Sequence, residues 1–294
     1  MDLGRIGVWT AALDAQPVAA AQEAVAELEE LGYGAVWIPE ALGREALVSS
    51  TLLLAGGQHI VVATGIANIW GRDAVTMSMA HRTVTSAYPD RFLLGLGVSH
   101  APLVEGVRGH DYSKPLTTMR TYLDAMDVAP FYADPPPSEP VRVLAALRPK
   151  MLELAATKAA GAHPYFVPPE HTADARATLG AGPLLLPEQA VLLETDPTRA
   201  REIGRLHTRI YVGLPNYTNN LRRYGYGDDD FADGGSDRLI DAIVAWGDLD
   251  AVRQRVQAHL DAGADHVCLQ VLTGDFRTLP SAAWRELAAA FDLS

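Results

Sequence analysis

Short, uninterrupted apolar runs alternate with amphipathic stretches along almost the whole chain. The runs at 4–10, 34–39, 60–66, 92–97, 141–145, 162–167, 190–194 and 266–272 read as strands. Between them, the spacing predicts helices over 17–31, 45–56, 74–87, 114–131, 149–159, 169–179 and 196–212, then over 249–262 and 282–291. In the first helix Val18, Val25, Leu28 and Leu31 share one face, with Glu23, Glu27 and Glu30 opposite. A strand that is apolar throughout, without polar alternation, belongs to a parallel sheet covered on both faces. Eight such strands in 294 residues predict an α/β chain of the (β/α)8 TIM-barrel type, with an open doubly wound sheet as the alternative.

The stretch 214–246 breaks the rhythm. Its NYTNNLRRYGYGDDDFADGG is polar, aromatic and glycine-rich, so it reads as an insertion between the seventh and eighth units, where insertions often cover a site. Asp134-Pro-Pro-Pro137 is a stiff turn, not a linker, so the whole chain, 1–294, reads as one domain. With 48% hydrophobic residues a sizeable core is available. The net charge of −12, from 24 basic and 36 acidic residues, argues against nucleic acid or an anionic membrane surface as partner. A single cysteine, Cys268, cannot pair internally, and the first residues carry no secretory pattern; both favour a cytoplasmic protein.

In a barrel, chemistry gathers beyond the C-terminal strand ends. Those ends hold Trp9, Glu40, residues 66–68 and 95–100, Ala145, Tyr165 and Gln270. Glu40 is the one acid directly at a strand end in the first half. Gly95-Leu-Gly97-Val-Ser-His100 fails as a dinucleotide fingerprint because its sixth position is histidine. As a nucleophile elbow around Ser99 it is disfavoured, because Pro102 follows and no helix is expected there. It reads instead as a glycine turn whose backbone N–H groups approach a phosphate or ring. None of the nine histidines falls in a metal-binding spacing, and Lys114, Lys150 and Lys158 lie in or at the start of helices, unsuited to Schiff-base chemistry. A bound organic cofactor is the economical reading.

The segments LGYGAVWIPE (31–40), VVATGIANIWGRDAVTMSMAHRTV (61–84), YPDRFLLGLGVSH (88–100), AAGAHPYFVPPEHT (159–172) and DAGADHVCLQVL (261–272) occur in an order and spacing that resembles the bacterial-luciferase-like superfamily. Within it, they are most similar to oxidoreductases that use the deazaflavin coenzyme F420. The resemblance implies the barrel fold, a homodimer, a small-molecule substrate, and hydride transfer at the deazaflavin C5. FMN is the alternative cofactor, with monooxygenase chemistry, and a non-catalytic flavin- or F420-binding barrel is a third reading. The resemblance also implies a non-prolyl cis peptide at Gly65-Ile66 behind the ring, flanked by Thr64 and Asn68. It places Trp37 and Glu40 near the ring, Gly97, Val98, Ser99 and His100 at the ribityl chain or phosphate, and Gly161, Ala162, His163 and Pro164 at the far edge. Some relatives carry a catalytic histidine directly after the strand-two acid, where this chain has Ala41. Glu40, His100 and His163 are therefore the expected proton-handling residues.

Overall fold

The computed structural model describes residues 1–293. Eleven strands form one parallel sheet: β1 (Ile6–Trp9), β2 (Ala35–Ile38), β3 (Val61–Thr64), β4 (Ala67–Asn68), β5 (Phe92–Gly97), β6 (Val141–Leu144), β7 (Gly161–Ala162), β8 (Leu184–Leu185), β9 (Glu188–Leu193), β10 (Val244–Gly247) and β11 (Val267–Val271). The ladder runs β10-β9-β11-β1-β2-β3-β5-β6-β7-β8, with β4 paired to β5. Its β8 end is joined to β9 by chain continuity: Leu186 N donates to Ala162 O and Cys268 N to Pro187 O, so the sheet curls into a barrel-like ring. Val244 pairs with Ala190 on the flank of β9, which makes β10 an extra strand outside the expected eight.

Most outer helices follow their strands as the periodicity predicts. They are α1 (Val18–Glu30), α2 (Ala46–Leu54), α3 (Ala74–Ala87), α4 (Ala101–Gly106), α5 (Pro115–Asp127), α6 (Pro149–Lys158), α7 (Pro169–Leu179) and α8 (Pro197–Tyr211). The insertion supplies α9 (Pro215–Leu221), α10 (Asp228–Phe231) and α11 (Asp237–Ile243), and α12 (Leu249–Asp261) and α13 (Ser281–Ala290) complete the chain. Their starts are chemical. Asp73, Asp196 and Asp248 side chains accept from Thr76 N, Arg199 N and Ala251 N, each meeting a donor that a helix leaves unpaired. Proline opens α5 to α9, where a missing N–H costs nothing. The insertion is thus largely helical, and its last residues, Val244, Ala245 and Trp246, belong to β10.

Most strand side chains divide between two cores, while Ala190, Leu192 and Val244 join a third with the insertion. Val8, Val36, Val62 and Leu94 face the helices, each contributing about 1.5–3 kcal/mol on burial. The alternate residues Trp9, Trp37, Ala63, Leu93 and Val143, with Leu186 and Cys268, fill the barrel interior. No helix among the described residues is long and apolar enough to cross a membrane.

Candidate active site

The site begins with a bulge after β3. The Gly65-Ile66 peptide bond is cis, as the family resemblance implies, and both residues remain half-buried at the C-terminal rim of the ring. Trp9 Nε1 donates to Gly65 O at 3.1 Å, and Gly65 N donates to Ile38 O at 2.7 Å. A Cβ at Gly65 would lie 2.6 Å from Trp9 Nε1, so a side chain there would displace the indole.

Glu40 anchors this bulge. It accepts from Asn68 N at 2.6 Å and Ala46 N at 3.3 Å, and Arg72 grips both carboxylate oxygens, Nη1 to Oε2 at 3.2 Å and Nη2 to Oε1. Glu40 and Arg72 side chains are 4% and 9% exposed, so this is a buried, two-pronged ion pair, with Glu45 as a second partner of Arg72. Every polar contact of the Glu40 carboxylate is to a donor. The geometry therefore makes it a holder of the bulge. Arg72, which sequence reasoning did not single out, is the cation that Glu40 requires once buried.

Several other expected cofactor contacts turn out to be framework. Trp37 is fully buried inside the ring, donating to His266 Nε2 at 3.1 Å and stacking on His163 at 4.4 Å. Thr64, also buried, donates to Gly95 O at 2.7 Å and accepts from Gly95 N at 2.9 Å, clamping β3 to β5. Gly161 and Ala162 form β7, and a Cβ on Gly161 would stand 2.0 Å from Leu184 O. Pro164 is buried as well, its carbonyl accepting from Glu188 N. His163 Nδ1 faces Leu186 O at 2.7 Å, an acceptor, so the ring proton sits there. Burial lowers His163 to about 4, and its Nε2 is an unprotonated, unpartnered atom: it has no proton to give at neutral pH. Trp37, Thr64 and residues 161–164 are thus built into the ring: their side chains point into its interior or their backbones carry the sheet.

The turn after β5 also differs from expectation. A helix, α4, does start at Ala101, and Pro102 sits in its first turn instead of preventing it. Ser99 has a φ of 55°, so strand, left-handed serine and helix follow in the order of a nucleophile elbow. Among the described residues Ser99 Oγ has no histidine partner, which leaves the elbow without its base. Val98 O accepts from Trp70 Nε1 and Ser99 O from Tyr112 Oη. His100 Nδ1 pairs with Asn216 Oδ1 at 3.0 Å, tying this turn to α9 of the insertion, and burial lowers the imidazole below its ordinary range despite that bond.

Gly97 has a packing purpose. Its Cβ would fall 2.4 Å from Ile66 Cδ1 and Cγ1, so glycine is what allows the cis residue to pack on β5. Gly97→Val is expected to push Ile66 off β5 and weaken cofactor binding by at least tenfold, read by fluorescence titration; affinity equal to wild type would disprove this packing role.

Sequence reasoning marked Trp9, Tyr165 and Gln270 only as strand ends, and missed Tyr211, Tyr217 and Glu188 altogether. Tyr165 Oη donates to Gln270 Oε1 at 2.7 Å and stands 2.7 Å from Tyr211 Oη. Trp9, Phe166 and Tyr217 surround the pair. Glu188 lies fully buried nearby, with Oε2 accepting from Phe166 N; burial pushes it up to about 8, so it is a neutral acid at pH 7. Among the described residues no three His, Cys, Asp or Glu side chains converge as a metal set.

These residues fit a planar, flavin-like ring on one observation. Asn68 pairs in register with Gly97 at the rim, its Oδ1 accepts from Trp70 N, and its fully buried Nδ2 has no partner. An unpaired buried donor costs about 1–3 kcal/mol, and a ring-edge carbonyl would satisfy it.

The family model for luciferase-like monooxygenases matches residues 2–266, and the chain belongs to that family. A curated Mycobacterium tuberculosis protein, provisionally named a coenzyme F420-dependent oxidoreductase, is 33% identical over 125 residues; the match covers 42% of this chain and 35% of that protein's length. An F420-dependent secondary alcohol dehydrogenase, solved with an F420-acetone adduct, superposes with a TM-score of 0.77 at 14% identity, covering 97% of this chain and 98% of the other. The oxygenating constituent of 3,6-diketocamphane monooxygenase from Pseudomonas putida, solved with FMN, gives 0.68 at 13% identity, covering 98% and 96%. At such identities the two structures bear on the fold alone.

Proposed function

We propose that this chain is a coenzyme F420-dependent oxidoreductase acting on a small organic substrate. The observation that carries the reading is the half-buried Gly65-Ile66 rim, backed by Trp9 and by the Glu40–Arg72 pair, with the unpartnered Asn68 amide beside it. The partial match to the mycobacterial protein supports the deazaflavin over FMN. When bound, F420 would supply a two-electron hydride at its C5. The chain's own part is positional. Gly65 and Ile66 present a flat backing surface, Asn68 offers a hydrogen-bond donor to a ring edge, and Val98, Ser99 and His100 form the rim where the side chain of the cofactor would leave.

Anaerobic turnover tests this directly. Reduced F420 should be oxidised by the protein when a mixture of small aldehydes and ketones is added, and not in its absence. Consumption of reduced FMN that requires oxygen, with no F420 turnover, would favour the monooxygenase reading instead.

A further inference from the structure

We propose that the Tyr165 hydroxyl, backed by Tyr211, is the binding site for a carbonyl oxygen of the substrate, which takes the place of the Gln270 amide oxygen. The proposal rests on the reading above for what happens to the substrate next, but not for the binding itself.

Three segments far apart in the chain converge on this point. Tyr165 follows β7, Tyr211 ends α8, and Gln270 lies in β11. Gln270 Oε1 is an amide carbonyl oxygen and can only accept, so Tyr165 donates to it; the Tyr165 oxygen then accepts from Tyr211. A phenol donating to a carbonyl oxygen at 2.7 Å is therefore already built here. A substrate carbonyl would take the place of the Gln270 amide oxygen. Tyr211 strengthens the donor, because a hydroxyl that accepts a hydrogen bond donates a better one.

The position is that of a substrate group. The Tyr165 ring lies 5.2 Å from that of Trp9, and Trp9 in turn holds Gly65 O of the cis peptide. Only one side chain thus separates the hydroxyl pair from the rim assigned to the cofactor. The walls are Trp9, Phe166 and Tyr217, which suit an apolar or planar body behind the carbonyl. Tyr217 belongs to the insertion, and its neighbour Asn216 is bonded to His100, so the wall is fastened to the opposite rim. The residues expected to handle the proton are engaged elsewhere: Glu40 with Arg72, Asn68 and Ala46, His100 with Asn216, and His163 with Leu186. Burial raises both phenols above their ordinary values, so each keeps its proton throughout the working range.

The test uses 4-dimethylaminocinnamaldehyde, a chromophoric aldehyde whose absorption moves to the red when its carbonyl accepts a hydrogen bond. Titrations are run with and without saturating F420. Wild-type protein should bind the aldehyde with a red shift. Tyr165→Phe should abolish the shift and weaken binding about tenfold, the loss of roughly one hydrogen bond. Tyr211→Phe should retain a smaller shift, because Tyr165 still donates. Gln270→Leu should bind the aldehyde more tightly than wild type, since the competing acceptor is gone; a purely structural glutamine would give the opposite sign. Absence of a shift in wild type, or an unchanged shift and affinity in Tyr165→Phe, would overturn the site. A Tyr165-dependent shift in a protein that fails to bind F420 would leave the site standing and remove the cofactor reading. F420 binding with no aldehyde shift would do the reverse.

Discussion

The protein is expected to lose its fold cooperatively as the pH falls toward about 5, above the range where most carboxylates take up protons. The cause is a set of buried imidazoles: His81, His163, His171, His259 and His266 are each at most 4% exposed. Burial lowers His81 and His259 to about 3, and His163, His171 and His266 to about 4. For His266 a second proton would also meet a donor, because its Nε2 accepts from Trp37 Nε1. Each folded value lies below the unfolded one near 6.5, so below that pH the unfolded chain takes up protons that the folded chain refuses. Stability is fully present above about 6.5 and drains as the pH falls toward the folded values. At pH 5 each site has withdrawn about 2 kcal/mol, about 10 kcal/mol for the set. Glu188 acts in the other direction. Its folded value, raised to about 8, penalises the native state above 4.5, and moving from about pH 7.5 to 5 returns about 3 kcal/mol. The net loss of about 7 kcal/mol rivals the whole stability of an ordinary domain. Urea unfolding at a series of pH values checks this, and equal midpoints at pH 7.5 and 5.5 would contradict it.

Glu40→Ala is expected to damage stability and cofactor binding together. Removing the carboxylate leaves Arg72, itself only 9% exposed, with the more exposed Glu45, and it strips partners from the Asn68 and Ala46 amides. Breaking a buried pair from one side costs about 3–5 kcal/mol, and the surviving Glu45 contact places this case near about 3 kcal/mol. Because Asn68 N hangs on Glu40, the bulge that carries the cis peptide should shift and F420 affinity should drop by at least tenfold. Denaturant unfolding and fluorescence titration measure the two effects. A variant of wild-type stability and affinity that had lost only turnover would restore Glu40 to the role of proton donor.

Much of the fold was readable from residue type alone. The runs at 92–97, 74–87 and 169–179 coincide with β5, α3 and α7: a continuous apolar run marks β5, the Asp73 cap starts α3, and Pro169 and Gly180 bound α7. Elements that depend on neighbours were not readable. β7 shrinks to two residues since Pro164 cannot donate to a ladder, and β10 is a strand only because β9 offers it an edge. The candidate site divides in the same way. The cis pair, Glu40 and the turn after β5 sit in local motifs that carry the family resemblance. Trp37 and Thr64 lie in strands apolar on both faces, where nothing in the sequence tells interior from exterior. Arg72, Tyr211 and Gln270 enter through contacts across 32 to 105 positions, which no local pattern records.

The central claim is that the Gly65-Ile66 rim holds a deazaflavin. Titration of the purified protein with oxidised F420 and, separately, with FMN, followed by tryptophan fluorescence, addresses it most directly, since Trp9 is bonded to Gly65 O and Trp70 to Val98 O. Saturable quenching with F420, at least tenfold tighter than with FMN and weakened by Gly97→Val, is the predicted result. Tighter binding of FMN, or no binding of either, would contradict it.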